Sequence, residues 1–198
     1  RRRAAPMTSV DRRRAIVEAI IPLLIEQGAN VTTRQFAEAA GIAEGTIFRV
    51  FADKCALLHE AIKAGMDPTP VQRAIASIDP EATFEEQLRQ AVRILMDRLD
   101  EVIALMTVLR TIPMTGPEHR PGPPAFVLES QAAIAESLTE LLARNRQRLR
   151  LEPARAAMVL RGLVFATGHP GAGEKLTDDD IVDVMLGGVA GRPVEVVN

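Results

Sequence analysis

Between Thr32 and Lys54 the chain reads TTRQFAEAAGIAEGTIFRVFADK, two short helical patterns broken by one glycine. Few folds accommodate that spacing, because so tight a turn makes the second helix cross directly over the first. Thr32 offers a capping hydroxyl and Gln35 follows three residues on, the arrangement of a capping box. The helix it opens is expected to end at Ala40, with Gly41 supplying left-handed backbone for the turn. A second helix is expected over about 44–50, and Asp53 caps a further one that continues through LLHEAIKAG. Phe36 faces inward, Ala37 is small enough to be crossed closely, Ile42 plugs the joint, and Ile47 and Val50 anchor the second helix. Phe51, four residues after Ile47, shares its side. This is the residue pattern of a helix-turn-helix.

The opposite face of that second helix carries Gly45, Phe48 and Arg49 at spacing i, i+3, i+4, flanked by Glu44 and Thr46. A core-facing helix would not place Arg49 there, and a merely solvated one would not display Phe48. A plain helical hairpin is the competing explanation. The Gly45-Thr46 pair is a poor choice for helix stability alone, which speaks against it. Small residues near the front instead suit entry into the DNA major groove, whose width just admits an α-helix. Arg49 can reach a guanine edge or a phosphate, Thr46 a base or a phosphate, and Phe48 a thymine methyl or a sugar. Lys54 and the positive end of the helix it begins are expected to face backbone phosphate.

Elsewhere strand signals are nearly absent: no Tyr, no Trp and few alternating runs, against long stretches that favour helix. The first helix is expected from about Thr8 or Ser9 to Gly28, with Ile16, Ile20, Leu23 and Gln27 along one side and Pro22 loosening one turn. The segment MDPTP loosens the chain after Gly65, where a domain boundary is expected. Beyond it lie one long or two consecutive helices over 83–112, the loop PMTGPEHRPGPP, and a helix over about 125–150. A helix over 153–167 opened by Pro153, the loop GHPGAGEKL, and a last helix over about 178–187 complete the chain. The fold class is all-α, with an N-terminal unit at 1–64 (motif about 32–51) and a larger helical body at 65–198.

Charge supports that division. The whole chain carries −2, yet residues 1–64 hold ten Lys/Arg against seven Asp/Glu and the remainder fourteen against nineteen. A mildly basic head on an acidic body fits an anionic partner at one end. The single Cys55 excludes an intrachain disulfide and suits a reducing, cytoplasmic setting. No apolar run reaches the roughly 18 residues a membrane span needs, and RRRAAP lacks the apolar segment of a secretory signal. His59, His119 and His169 share no metal-ligand spacing, GHPGAGEK has Glu174 where a phosphate loop needs lysine, and there is no Gly-x-Ser-x-Gly elbow. The run Asp178, Asp179, Asp180 is what a helix start attracts. No enzyme, metal or cofactor is expected.

Residues 10–64, and 32–58 above all, resemble the DNA-binding domain of the tetracycline-repressor (TetR) family of transcriptional regulators. The stretch TTRQFAEAAGIAEGTIFRVFADKCALL follows that pattern nearly position by position. It departs from it in Phe48 where tyrosine is usual, Glu44 where a basic residue is common, Val50 for histidine and Ala43 for the serine cap. The resemblance implies a homodimer that binds a palindromic operator, more as a repressor than an activator, through Thr33, Arg34, Glu44, Gly45, Thr46, Phe48, Arg49 and Lys54. It implies release by a small apolar effector held among Met96, Leu99, Ile103, Met106, Arg110, Phe126 and Phe165, with Leu109 nearby and Arg110 buried or half-buried as the partner of an acidic group. It also implies that the last two helices pair with a second copy through Ala157, Leu160, Val164, Ile181, Val184 and Met185. The alternative is a module of the same fold that acts through a protein partner without operator recognition.

Overall fold

The computed structural model describes residues 8–112, 122–168 and 176–189. Among them the secondary structure is α-helical, with short 3-10 and π turns and no β-strand. The chain falls into two compact units, one made of residues up to 67 with 101–126, the other of 68–100 with 127 onward. The changeover at Asp67 lies close to Gly65. Residues 101–126 join the first unit, whereas the sequence reading groups them with the body.

In the first unit, α1 (Ser9–Gln27) opens on Thr8, whose hydroxyl accepts the Asp11 N–H at 3.1 Å. It ends at Gly28, where φ is +68°. Its buried face is Ile16, Val17, Ile20 and Leu24. The stripe is rotated from the expected one because Val17 and Leu24 turn inward. Leu23 is half-buried, and Gln27 lies at the surface, where its side-chain oxygen accepts from Gln35. Pro22 sits within the helix on an exposed position, and the helix runs on through it. Helices α2 (Thr33–Ala39), α3 (Glu44–Val50) and α4 (Lys54–Gly65) pack with α1 over a core that includes Phe36, Ile47, Phe51, Leu57 and Ile62. Burial of such side chains stabilises by roughly 1.5–3 kcal/mol each, which short helices require because their propensity alone is insufficient.

Gly65 ends α4 at a close approach: a Cβ there would lie 2.7 Å from Leu105 Cδ1 and 3.6 Å from Ile21 Cγ2. Leu105 belongs to α6 (Phe84–Thr111), a single long helix rather than two, and is fully buried.

The second unit holds α5 (Thr69–Ala76), which the sequence reading passes over as loosened chain. Pro70 lies in its first turn, where the missing N–H costs nothing, and Val71 and Ile75 form its buried side. The start of α6 is fixed by Thr83 and Glu86, each side chain bonding the other's backbone N–H. Buried Gln87 donates to the Pro80 and Ala82 carbonyls and accepts from Asn145 at 2.9 Å, so its amide is satisfied. Helix α7 (Ala125–Ala143) stops short of the expected 150. A 3-10 turn at Arg146–Arg148 follows, and the Arg148 guanidinium lies 5.2 Å from the Phe84 ring centre.

Helix α8 (Pro153–Thr167) has the expected bounds, and α9 (Asp178–Val184) continues into a π turn at Met185–Val189. A capping box between Thr177 and Asp180 opens α9, while Asp178 pairs with Arg93 and Asp179 with Arg89. The hydroxyl and N–H of Thr177 hold the Asp180 carboxyl below its ordinary pKa, and Arg93 does the same to Asp178. The three acids thus have capping and pairing roles, and no metal-ligand cluster occurs among the described residues.

Candidate nucleic-acid interface

The turn between α2 and α3 is built by backbone chemistry. Thr32 accepts the Gln35 N–H, and Gln35 returns a bond to the Thr32 N–H at 2.9 Å. At the other end of α2, the Gly41 N–H donates to Glu38 and the Ile42 N–H to Ala37, a Schellman motif that needs the left-handed Gly41 at φ +64°. No side chain caps α3 at Ala43, and the Thr46 N–H bonds the Ala43 carbonyl instead. Phe36, Ala37, Ile47 and Phe51 are buried as the sequence pattern requires. Ile42 and Val50 are only half-buried.

The outer face of α3 presents Glu44, Gly45, Phe48 and Arg49 to solvent, with Thr46 half-buried beside them. Phe48 is 52% exposed on this face. Arg49 has no hydrogen-bond or ion-pair partner among the described residues. Gly45 has a helical φ, and a Cβ built on it meets no atom within 4 Å. Neither backbone conformation nor internal packing therefore requires a glycine there, although it weakens the helix by about 1 kcal/mol relative to alanine.

Other residues of the expected set are engaged within the protein. The Thr33 hydroxyl donates to Glu44 at 2.5 Å, and Arg34 pairs with Glu38 at 2.9 Å. Lys54 turns inward: its ammonium donates to the Ala29 carbonyl at 3.2 Å and lies 5.8 Å from the Phe36 ring centre. Its apolar stem and that carbonyl make the position favourable, whereas the sequence pattern expects this ammonium to face backbone phosphate.

One residue outside that set joins three elements. Arg13 on α1 donates Nε to Glu60 Oε2 at 2.6 Å, NH2 to Glu60 Oε1, and NH1 to the Val50 carbonyl at 2.7 Å, with its guanidinium 4.5 Å from the Phe51 ring centre. Hydrogen bonding to Arg13 holds the Glu60 carboxyl below its ordinary pKa and raises that of Arg13. No local pattern announces this, since Arg13 stands in a run of three arginines and the pairing spans 47 residues.

The effector candidates divide between the units. Met96, Leu99 and Phe165 lie in the second; Ile103, Met106, Arg110 and Phe126 lie in the first. Leu99 is buried, Met96, Ile103 and Met106 are half-buried, and Met96 borders an open hollow with Arg93, Asp97, Leu176, Thr177 and Asp178. Phe126 packs edge-on against His59 at 5.4 Å. Arg110 is exposed rather than buried, because it falls on the outer side of α6 opposite Val108 and Ile112. Phe165 is 59% exposed.

The expected pairing face is also corrected. Ala157, Leu160, Val164, Ile181 and Met185 are buried in the unit's own core, and of that group only Val184 is exposed. What α8 presents outward is Met158 and Phe165, seven residues apart on one side. His119, His169 and most of the GHPGAGEK loop lie outside the described residues.

Residues 16–61 match the family model for bacterial regulatory proteins of the tetR family. No curated protein matches the sequence. Among solved structures, a chain from Mesorhizobium loti described as a TetR-family transcriptional regulator is similar at TM-score 0.68 and 19% identity, covering 94% of this chain and 100% of that one. AibR in complex with isovaleryl coenzyme A and operator DNA is similar at TM-score 0.52 and 22% identity, covering 89% and 96%. LfrR from Mycobacterium smegmatis in complex with proflavine is similar at TM-score 0.56 and 23% identity, covering 89% and 95%. At such identities the likeness is one of fold.

Proposed function

The helix-turn-helix within residues 16–61 is a tetR-family one, and from it we propose that the chain is a cytoplasmic, homodimeric transcriptional repressor that reads a palindromic operator and is released by a small apolar effector. The observation that carries this is the outer face of α3, where an unpartnered Arg49, an exposed Phe48 and a glycine with no internal purpose stand together. Arg49 reads a guanine edge, Phe48 packs on a thymine methyl or sugar, and Gly45 lets the backbone approach. Thr33, Arg34, Glu44 and Thr46 border that face, and their contacts within the protein exchange for contacts to DNA on binding. One short reading helix offers few contacts, so two copies on half-sites about one helical turn apart supply specificity. The outward Met158 and Phe165 of α8, with Val184 of α9, supply the apolar surface for the pairing.

Effector control is supported by the fold of AibR, seen with both an acyl coenzyme A and operator DNA, and of LfrR, seen with proflavine. Within the first unit, Ile103 and Met106 flank Leu105, which presses on Gly65 at the end of α4. An effector that displaces this part of α6 moves α4. A coupling of roughly 1–3 kcal/mol weakens DNA binding about 5–150-fold, and operator DNA weakens effector binding by the same factor.

The test is selection of duplexes from a random-sequence library by the purified protein. A palindrome with half-sites one turn apart is the expected product. Failure to enrich any sequence would favour the module that acts through a protein partner, a reading to which the inward Lys54 and the paired Arg34 lend some support.

A further inference from the structure

The reading helix α3 is a seven-residue element with no side-chain cap at its start. Something must hold its far end, because a helix this short has little rigidity of its own. Its last residue is Val50, and the Val50 carbonyl accepts the NH1 of Arg13 at 2.7 Å. A cation at a helix C-terminus is favourably placed against the dipole and against the orphan carbonyls there. The same guanidinium lies on Phe51, the residue at which α3 ends, and both remaining faces of its fork are taken by Glu60 of α4. We infer that Arg13 is the positioning residue of the reading helix, and that Glu60 holds it in place. The inference rests on the proposed DNA-reading role of α3.

Two features separate this device from an ordinary surface ion pair. The side chains of Arg13 and Glu60 are 42% and 36% exposed, and pairs this open contribute little to global stability. The geometry, by contrast, is specific: a bidentate fork to the carboxylate leaves NH1 aimed at one carbonyl, an arrangement lysine cannot reproduce. Placement of α3 relative to α1 and α4 is therefore what the pair supplies.

The experiment compares wild type, Arg13→Lys, Glu60→Gln and the charge swap Arg13→Glu/Glu60→Arg in the full chain. Amide hydrogen exchange and thermal unfolding are measured without DNA. Both single variants are expected to exchange the α3 amides about tenfold faster, the loss of one charge-assisted bond, with α1 and α4 unchanged. The swap restores an ion pair but presents a carboxylate to the Val50 carbonyl, so α3 stays fast while the melting temperature, little moved in the single variants, stays near the wild-type value. Wild-type protection of α3 in both single variants, or its recovery in the swap, overturns the inference. On a duplex selected by the wild-type protein, the single variants lose about tenfold in preference over random DNA. If the wild-type protein selects no duplex, the DNA-reading role fails, while the exchange data still decide whether Arg13 positions α3.

Discussion

At the scale of single residues, Gly45 sets stability against function. Alanine there meets open space and removes the helix penalty, so Gly45→Ala should stabilise the protein by about 1 kcal/mol. The same methyl obstructs the approach to DNA, so affinity should fall while the melting temperature rises. Calorimetry and fluorescence anisotropy on one preparation check both signs. Arg49→Ala should cost about 1–3 kcal/mol of binding and relax the preferred sequence at one position, measured on single-base variants of a selected duplex. Because Arg49 is exposed and has no hydrogen-bond or ion-pair partner among the described residues, its removal should leave the unfolding free energy within about 0.5 kcal/mol of wild type. Phe48→Tyr adds a hydroxyl at an exposed position that can reach phosphate, and should tighten binding to all duplexes alike.

Among the elements, α4 is held at its C-terminal end and near its middle by contacts that substitutions can reach. Gly65→Ala gains helix propensity but sets a Cβ 2.7 Å from a methyl of the fully buried Leu105, which must shift within a filled core to admit it. Overpacking of about 1–3 kcal/mol should exceed the gain of about 1, leaving a net loss readable in urea unfolding. Near the middle of the helix, Arg13 holds the Glu60 carboxyl below its ordinary pKa. A depressed carboxyl contributes stability that is present above its unfolded pKa and lost as pH falls through the folded value. The α3 amides should therefore lose protection on acidification below the usual carboxylate range, and Glu60→Gln should remove that dependence. Exchange measured at a series of acid pH values checks it. In the other unit, α9 is legible in sequence from Thr177 and Asp180 three residues apart, a local signal that the structure retains as a capping box. Helix α5 is less legible, since Asp67, Pro68 and Pro70 read as breakers unless Pro70 is placed in a first turn.

For the whole molecule the decisive quantity is assembly. Met158 and Phe165 are 66% and 59% exposed on one side of α8, so replacing both with glutamate should leave each chain folded while abolishing self-association. Sedimentation at micromolar concentration should show wild-type dimer and variant monomer, and the variant should lose binding to a palindrome more than to a single half-site. A variant that remains dimeric would move the pairing surface elsewhere.

The sequence by itself determined the all-α class, the helix-turn-helix with its Thr32 cap and Gly41 turn, and the outward set of Gly45, Phe48 and Arg49. These follow from spacings of three and four residues and from the backbone freedom of one glycine, which are local properties. The tertiary structure decided what depends on distant neighbours. It turned Lys54 onto the Ala29 carbonyl and left Arg110 in solvent. It took Leu160, Val164 and Ile181 into their own core in preference to a partner's. It also set Arg13 against Glu60 and Val50. Helical periodicity tells which residues share a side; which of two apolar sides is covered, and which of several arginines meets a carboxylate, is fixed only when the helices pack.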